Sequence, residues 1–392
     1  MVSTMTIDDL KRLWLATMFL YMASGFTFPI FPLYMAYRGL SPFEVGMAAS
    51  VATLVSIMPV AVIGRVSDVV NREKLQGALG VTLAALILAY IHANSFSHFL
   101  VLHPAYVTIV YAYMTLSGAI AMDYIVTRRG TSFGRFRTSG AIGWIFGTLL
   151  GGWTVDNLGF TYVFMLSSAF FIISASLFGL GGLKGKTKRK DREKSIAYHM
   201  KAFRKVLFNK AAYTLYASVF IAWLTTPAYY TFLPLYMTKE LGTSRFLSSI
   251  AFTVTPFAEV PAMIYFGSLS DKIGRKKVIA LCLAAYPIRY ILTVTAGSAG
   301  EPWLVVAAQL LHGLTFGGLY VVSVAYLSEA VDPDLKGLAL SLYTIFSNIG
   351  SFIGNYTLGY IVDSYGFTPM YYAAALISSL SIPTLAILSK KH

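Results

Sequence analysis

Three ionisable side chains stand inside long apolar stretches of this chain: Glu259, Arg289 and His312. A charge in hydrocarbon costs about 2.5 to 3.5 kcal/mol even on a lenient insertion scale, so such residues face one another or a water-filled cavity. An acid that takes up a proton, a cation whose distance tunes that uptake and an imidazole are the parts that proton coupling requires. Glu259 is the only acid near the middle of an apolar stretch and is the proton-carrier candidate, with Arg289 and His312 completing the set. The competing reading of Glu259 and Arg289 is a buried ion pair that fixes helix packing. For His312 it is a core histidine bonded to a neighbouring carbonyl.

Polar and aromatic residues extend this set. Pro256 and Pro261 flank Glu259, and each disturbs a helix in the manner of one that lines a solute cavity. Gln309, His312, Phe316 and Ser323 follow helical spacing and define a polar face. Asn348 and Asn355 lie two turns apart beside Gly350 and Gly354, as bonds between helices or as cavity donors. With Tyr34, Trp223 and Tyr230 from the aromatic population, the solute-contact candidates are Tyr34, Trp223, Tyr230, Gln309, His312, Phe316, Asn348 and Asn355.

The elements that must position these residues are membrane helices. Of 392 residues, 56% are hydrophobic and 12% charged, against about 25% charged in soluble domains. Twelve stretches of about 20 apolar residues are expected at 13–37, 43–64, 75–93, 104–126, 138–155, 160–183, 211–237, 247–268, 277–296, 302–327, 336–361 and 369–388. The first has no small-residue cleavage site and reads as a retained helix. The single cysteine, Cys282, excludes an intrachain disulfide and a cysteine-based metal site. The +14 charge does not signal nucleic acid. With both termini inside, every Lys and Arg except Arg38, Lys239, Arg245 and Arg289 falls on the cytoplasmic side, as the positive-inside rule requires. The densest basic run, 184–210, is expected to lie at anionic lipid headgroups.

The chain is also one unit repeated. Phe31-Pro32-Leu33-Tyr34-Met35 returns as Leu233-Pro234-Leu235-Tyr236-Met237, and Gly64-x-x-x-Asp68-x-x-x-Arg72 returns as Gly267-x-x-x-Asp271-x-x-x-Arg275. Gly152-Trp153-Thr154-Val155-Asp156 returns as Gly359-Tyr360-Ile361-Val362-Asp363. The expected fold is therefore all-α and integral to the membrane, with twelve helices in two six-helix pseudo-repeats and both termini cytoplasmic. Residues 1–183 form one bundle, 184–210 a basic cytoplasmic linker and 211–392 the second bundle.

The loop Gly267-Ser268-Leu269-Ser270-Asp271-Lys272-Ile273-Gly274-Arg275 resembles the signature loop of the major facilitator superfamily. Its partner has Asn71 in place of the second glycine, and asparagine tolerates a left-handed backbone. The resemblance implies alternating access of two halves, with Gly64, Asp68, Arg72, Gly267, Asp271 and Arg275 as gating residues. Gly134-Arg135-Phe136-Arg137 and Leu311-His312-Gly313-Leu314 are similar to segments of the oligosaccharide/proton symporters and phenylpropionate permeases. That pattern places a carboxylate one turn after the histidine, where this chain has Thr315. Asp123 and Arg137 are read as a gate ion pair, or as the place where the sugar symporters bind substrate. The stripe Gly143-x-x-x-Gly147-x-x-x-Gly151-Gly152 suits helix contact between the halves and resembles the antiporter motif, with Thr148 at its proline position.

The leading expectation is a proton-coupled symporter for a small organic solute in the cell membrane, acting as a monomer and needing no cofactor or metal. Its partners are the solute, protons and membrane lipid, and no nucleic acid. A proton-linked efflux antiporter for amphipathic compounds is the alternative, and a non-transporting membrane sensor the third reading. No nucleotide loop, metal cluster or activated nucleophile points to an enzyme.

Overall fold

The computed structural model describes residues 7–67, 70–125, 129–179 and 196–390, and among them the only regular structure is helical. In chain order the first seven helices are α1 (Ile7–Thr27), α2 (Ile30–Tyr37), α3 (Pro42–Val66), α4 (Arg72–Ala89), α5 (Phe96–Tyr124), α6 (Arg129–Asn157) and α7 (Phe160–Gly179). There follow α8 (Ile196–Leu207), α9 (Lys210–Trp223), α10 (Pro227–Tyr230), α11 (Leu233–Leu235), α12 (Arg245–Thr253), α13 (Thr255–Ile273) and α14 (Arg275–Ser298). The last are α15 (Pro302–Ala308), α16 (Leu319–Ala330), α17 (Lys336–Tyr365), α18 (Phe367–Ser379) and α19 (Ser381–Lys390). Eight helical stretches among the described residues are long and apolar enough to cross a membrane, the first being Asp9–Tyr37 and the last Pro333–Tyr365.

Two compact units result. One comprises Met1–Leu40, Val51–Lys190 and Ser244–Thr253, and the other Ser41–Ser50, Asp191–Thr243 and Val254–His392. In the first unit the glycine stripe of α6 lies directly on α1. A Cβ on Gly143, Gly147 or Gly151 would collide with the carbonyl oxygens of Met18, Met22 and Phe26 in turn. One side chain per turn is missing along the line where the two backbones meet, which permits their close approach. The expectation that this stripe joins the two halves is corrected for its first three glycines, which pack against α1, while Gly152 closes on Ser249 of α12. Thr148 is fully buried there and shares a 2.8 Å hydrogen bond with Thr253.

The second unit uses the same device. Gly350 and Gly354 of α17 lie against Phe220 and Leu224 at the end of α9, and Gly313 and Gly317 lie against the carbonyl oxygens of Ala258 and Glu259 in α13. Helix α12 stops at Thr253 and α13 restarts at Thr255, with Pro256 in its first turn where the missing N–H has no helical acceptor to lose. Gly313–Gly318 is a π-helical turn inserted before α16. Such turns carry one residue more than an α turn and recur at functional sites.

The two repeated loops differ in backbone. Gly274 sits between α13 and α14 at φ +97°, a region open to glycine. Asn71 does not adopt the left-handed backbone expected of it. At φ −66° and ψ 113° it is extended, and its side chain accepts from the Lys74 N–H at 2.9 Å as the N-cap of α4. Asparagine caps a helix start well, so this turn is solved by a side chain where the other is solved by a missing one.

Candidate functional site

Helix α14 carries Tyr286, Arg289, Tyr290 and Thr293 on one face at helical spacing, all buried. Arg289 is 3% exposed. Its Nε and Nη2 both donate to Oε1 of Gln309, at 3.0 and 2.8 Å. Its Nη1 reaches Nδ1 of His312 at 3.2 Å and donates to Thr315 Oγ1 at 3.1 Å. A guanidinium can only donate, so Nδ1 is the acceptor in this arrangement and the imidazole proton sits on Nε2. The face of the guanidinium is covered by the Tyr229 ring, 4.0 Å from its centroid. His312 is therefore tied to Arg289 and not to a backbone carbonyl.

Gln309 is fully engaged: its amide donates to the Val305 carbonyl at 2.8 Å and to Thr293 at 3.2 Å. This fixes the amide orientation that presents its oxygen to the cation. The π turn then aligns the rings that follow. His312 stacks on Phe316 with centroids 5.2 Å apart and planes 4° from parallel, and Phe316 on Tyr320 at 6.1 Å and 7°. Tyr286 donates to the Thr315 carbonyl at 2.7 Å, pinning the π turn to α14. Glu259, half-buried on α13, packs its Cγ toward Gly317 and lies within electrostatic reach of Tyr229, as does Arg289.

These groups enclose a cavity lined by Trp223, Thr226, Tyr229, Tyr230, Tyr286, Arg289, Tyr290, His312, Thr315 and Phe316. It offers about 10 Å³ to the centre of a water-sized sphere, room for about one water. A solute would have to displace side chains to enter. The lining is one cation among aromatic rings and hydroxyls, a pattern suited to a small polar molecule with a flat body.

The expected site residues fall into distinct places. Trp223, Tyr230, His312 and Phe316 line this cavity together with Arg289, and Gln309 supports it from behind. Asn355 is a bond between helices: its Oδ1 accepts from Thr231 at 2.7 Å and its amide donates to the Ser351 carbonyl. Asn348 is half-buried on α17, outside the lining. Tyr34 belongs to the other unit, where it is 2% exposed and its hydroxyl donates to the Tyr90 carbonyl at 2.7 Å. Ser323, placed on the polar face by helical spacing, is buried beyond the π turn and does not line the cavity. Tyr286, Tyr290, Thr226 and Thr315 are additions that the structure makes. The spacing of Tyr286, Arg289, Tyr290 and Thr293 within an apolar helix is the signal that finds α14's contribution.

Among the gating candidates, Arg275 is held by Asp271 at 2.6 Å and Glu329 at 2.9 Å, and Gly267 faces Val321. In the other unit Arg72 pairs with Asp123 at 2.6 Å. Asp123 is thereby engaged from α4, and Arg137, exposed on α6, is not the partner given to it. Gly64 lies in α3, and Asp68 lies outside the described residues. Beside this pair is a buried group that the sequence does not single out. Glu73 is 1% exposed and is met by Arg12 at 3.4 Å and by the Tyr124 hydroxyl at 2.5 Å.

Residues 10–373 match the model of the MFS_1 like family, and the chain belongs to that family of membrane transporters within the major facilitator superfamily. It is a multi-pass integral protein of the cell membrane and not an enzyme. It is 25% identical to the transporter YwbF of Bacillus subtilis over 366 residues, covering 92% of this chain and 88% of that one. The multidrug resistance protein MdtG of Proteus mirabilis is 22% identical over 365 residues, covering 89% and 88%. The fold is similar to that of the nucleoside transporter NupG, with a TM-score of 0.84 at 14% identity over 98% of this chain and 100% of that one.

Proposed function

We propose that the chain is a proton-coupled symporter that moves a small organic solute across the membrane by alternating access of two six-helix halves. On this reading twelve helices cross the bilayer with both termini cytoplasmic, residues 184–210 link the halves at the lipid surface, and the protein works as a monomer. The observation that carries the proposal is the buried Arg289, joined to Gln309, His312 and Thr315 in the wall of a cavity, with Glu259 close by on α13. Transporters keep such costly intramembrane charges for the solute and the coupling ion. Glu259 is the proton carrier, and Arg289 shifts its proton affinity as helices α13 and α14 rearrange.

A second reading, proton-linked efflux of amphipathic compounds, is favoured by the similarity to MdtG, which is named for multidrug resistance. Solute-driven proton movement in proteoliposomes separates the two. Co-directional flux that is lost in Glu259→Gln supports symport. Counter-directional flux supports efflux, and coupling that survives Glu259→Gln removes the role given to Glu259.

A further inference from the structure

Helix α8 takes no part in the cavity, and its residues fall on three faces. At about 100° per residue, Met200, Phe203 and Leu207 form an apolar stripe at i, i+3 and i+7, Lys201, Arg204 and Lys205 form a basic face beside it, and Val206 stands on the third. Val206 is 1% exposed, on a helix that packs against α17 and α9. The basic face is exposed, as its charge requires. The apolar stripe is left uncovered as well: Met200 is 57% and Phe203 38% exposed, and Phe208, just past the helix end, is 71% exposed. Large apolar side chains gathered on one open strip mark a surface that another apolar phase covers.

The level at which α8 sits is set by its C-terminal end. The Asn209 side chain accepts from the Ala212 N–H at 3.0 Å, capping α9, and its amide donates to the Ala330 carbonyl at 3.0 Å. Lys205 pairs with Asp332 at 2.5 Å. Ala330 ends the stretch Pro302–Ala330 and Asp332 directly precedes Pro333–Tyr365, both long and apolar enough to cross a membrane. The junction of two such stretches lies at a bilayer surface, and α8 is fastened to that junction. Its 12 residues cannot cross about 30 Å of hydrocarbon. A short helix with an apolar stripe beside a basic face lies in the plane of the interface, the stripe among acyl chains and the cations at headgroup level.

Charge selects the lipid. No acidic residue occurs in α8, and among the described residues Lys205 alone of its three exposed cations has a carboxylate partner. Lys201 and Arg204, next to the stripe, are therefore placed to meet phosphates. We infer that α8 is an in-plane anchor that binds anionic phospholipid, with Met200, Phe203 and Leu207 among the acyl chains and Lys201 and Arg204 on the headgroups. This rests on the placement of residues 184–210 at the lipid surface in the transport reading, and adds the segment that enters the lipid and the charge it selects. Each basic residue near an anionic surface favours it by about fivefold, whereas a zwitterionic headgroup offers no net charge to attract them.

The test places a bimane fluorophore on the full-length protein at Met200→Cys, with Cys282→Ser so that the label has one site. The protein is held in nanodiscs of equimolar phosphatidylcholine and phosphatidylglycerol, and bromine quenchers are carried on the acyl chains of one lipid or the other. A label at Lys201→Cys reports the basic face. Bromolipid is expected to quench the Met200 label about threefold or more beyond the Lys201 label, because the stripe lies below headgroup level. Brominated phosphatidylglycerol should quench the Met200 label about twofold or more beyond brominated phosphatidylcholine, and Lys201→Gln with Arg204→Gln should cut that excess to about half or less. Protection of the Met200 label from both lipids would mean that water or a protein surface meets the stripe, and would overturn the inference. Equal quenching by the two lipids overturns the anionic selection, and an excess that the double variant keeps in full overturns the role of Lys201 and Arg204. The lipid comparison uses native Lys201 and Arg204, so it holds even if the double variant does not fold. Quenching needs no solute: the expected pattern in a protein that moves no solute or proton leaves the inference standing and removes the transport reading, and coupled flux with an unquenched Met200 label does the reverse.

Discussion

The guanidinium of Arg72, the first residue of α4, lies 2.6 Å from the carboxylate of Asp123, the penultimate residue of α5. The repeat reproduces this in the second unit. Arg275 opens α14 and lies 2.9 Å from Glu329, the penultimate residue of α16. Each unit therefore closes one end of a helix pair with an arginine from the repeated loop and an acid that the loop motif itself does not contain.

These pairs are half exposed, so each contributes under about 1 kcal/mol. That is enough to bias a conformational equilibrium by up to about fivefold without altering the site. Asp123→Asn and Glu329→Gln are each expected to change the maximal transport rate and to leave the half-saturating solute concentration unchanged. Initial rates in proteoliposomes over a range of solute concentrations check this, and a shift in apparent affinity with constant maximal rate would refute it.

Gln309 is the anchor of Arg289. Replacing it by leucine leaves a buried cation short of two hydrogen bonds, at a cost of about 3 to 5 kcal/mol. A lower melting temperature of Gln309→Leu in detergent is expected, with Gln309→Glu retaining most of the stability because a carboxylate also accepts the fork. Tryptophan fluorescence during heating measures both, and a leucine variant that melts with the parent protein would contradict the assignment.

The α1/α6 contact makes a graded steric prediction. Gly147→Val places atoms where the Met22 carbonyl already stands and should abolish monodisperse protein on size exclusion. Gly134, on the same helix with nothing within 4 Å of a built Cβ, should accept alanine with little effect beyond helix propensity. Equal behaviour of the two variants would show that the stripe is not a packing seam.

The two loops should respond differently to substitution. Gly274→Ala forces a Cβ into a backbone region that glycine alone occupies freely, costing about 1 to 3 kcal/mol. Asn71→Ala removes a helix cap, costing about 1 kcal/mol, and Asn71→Gly should lose only a few tenths. Melting curves of the three variants rank them. If Asn71→Gly proves the more damaging of the Asn71 pair, the cap is not what Asn71 supplies.

Charges within apolar stretches are legible in the sequence because hydrocarbon makes them expensive: Arg289 and His312 announce themselves and meet in space. Trp223, Tyr230 and Phe316 follow from their neighbourhood. Pairing is less legible. Proximity in sequence points to the arginines around α6 as partners of Asp123, whereas Arg72, 51 positions away, reaches it from the loop. Glu73 escapes notice because a run of charged residues at a helix start reads as solvated, yet Arg12 and Tyr124 bury it. Tyr34 looks like a cavity aromatic because the repeat marks it, and its hydroxyl instead fastens the turn after α4. Nothing in a glycine stripe says which neighbouring backbone it will meet.

The 3-10 turn Gln309–Leu311 and the π turn Gly313–Gly318 that follows it break the regular winding of this stretch, so that residues before them and residues after them no longer fall on one α-helical wheel. Gln309 and His312 thus face the guanidinium, while Ser323, which a regular wheel draws beside them, is carried away toward Tyr343. Deleting one residue from the π turn would change that phase and swing the Arg289 ligands off their cation, leaving every side chain of the site present and none of them aimed.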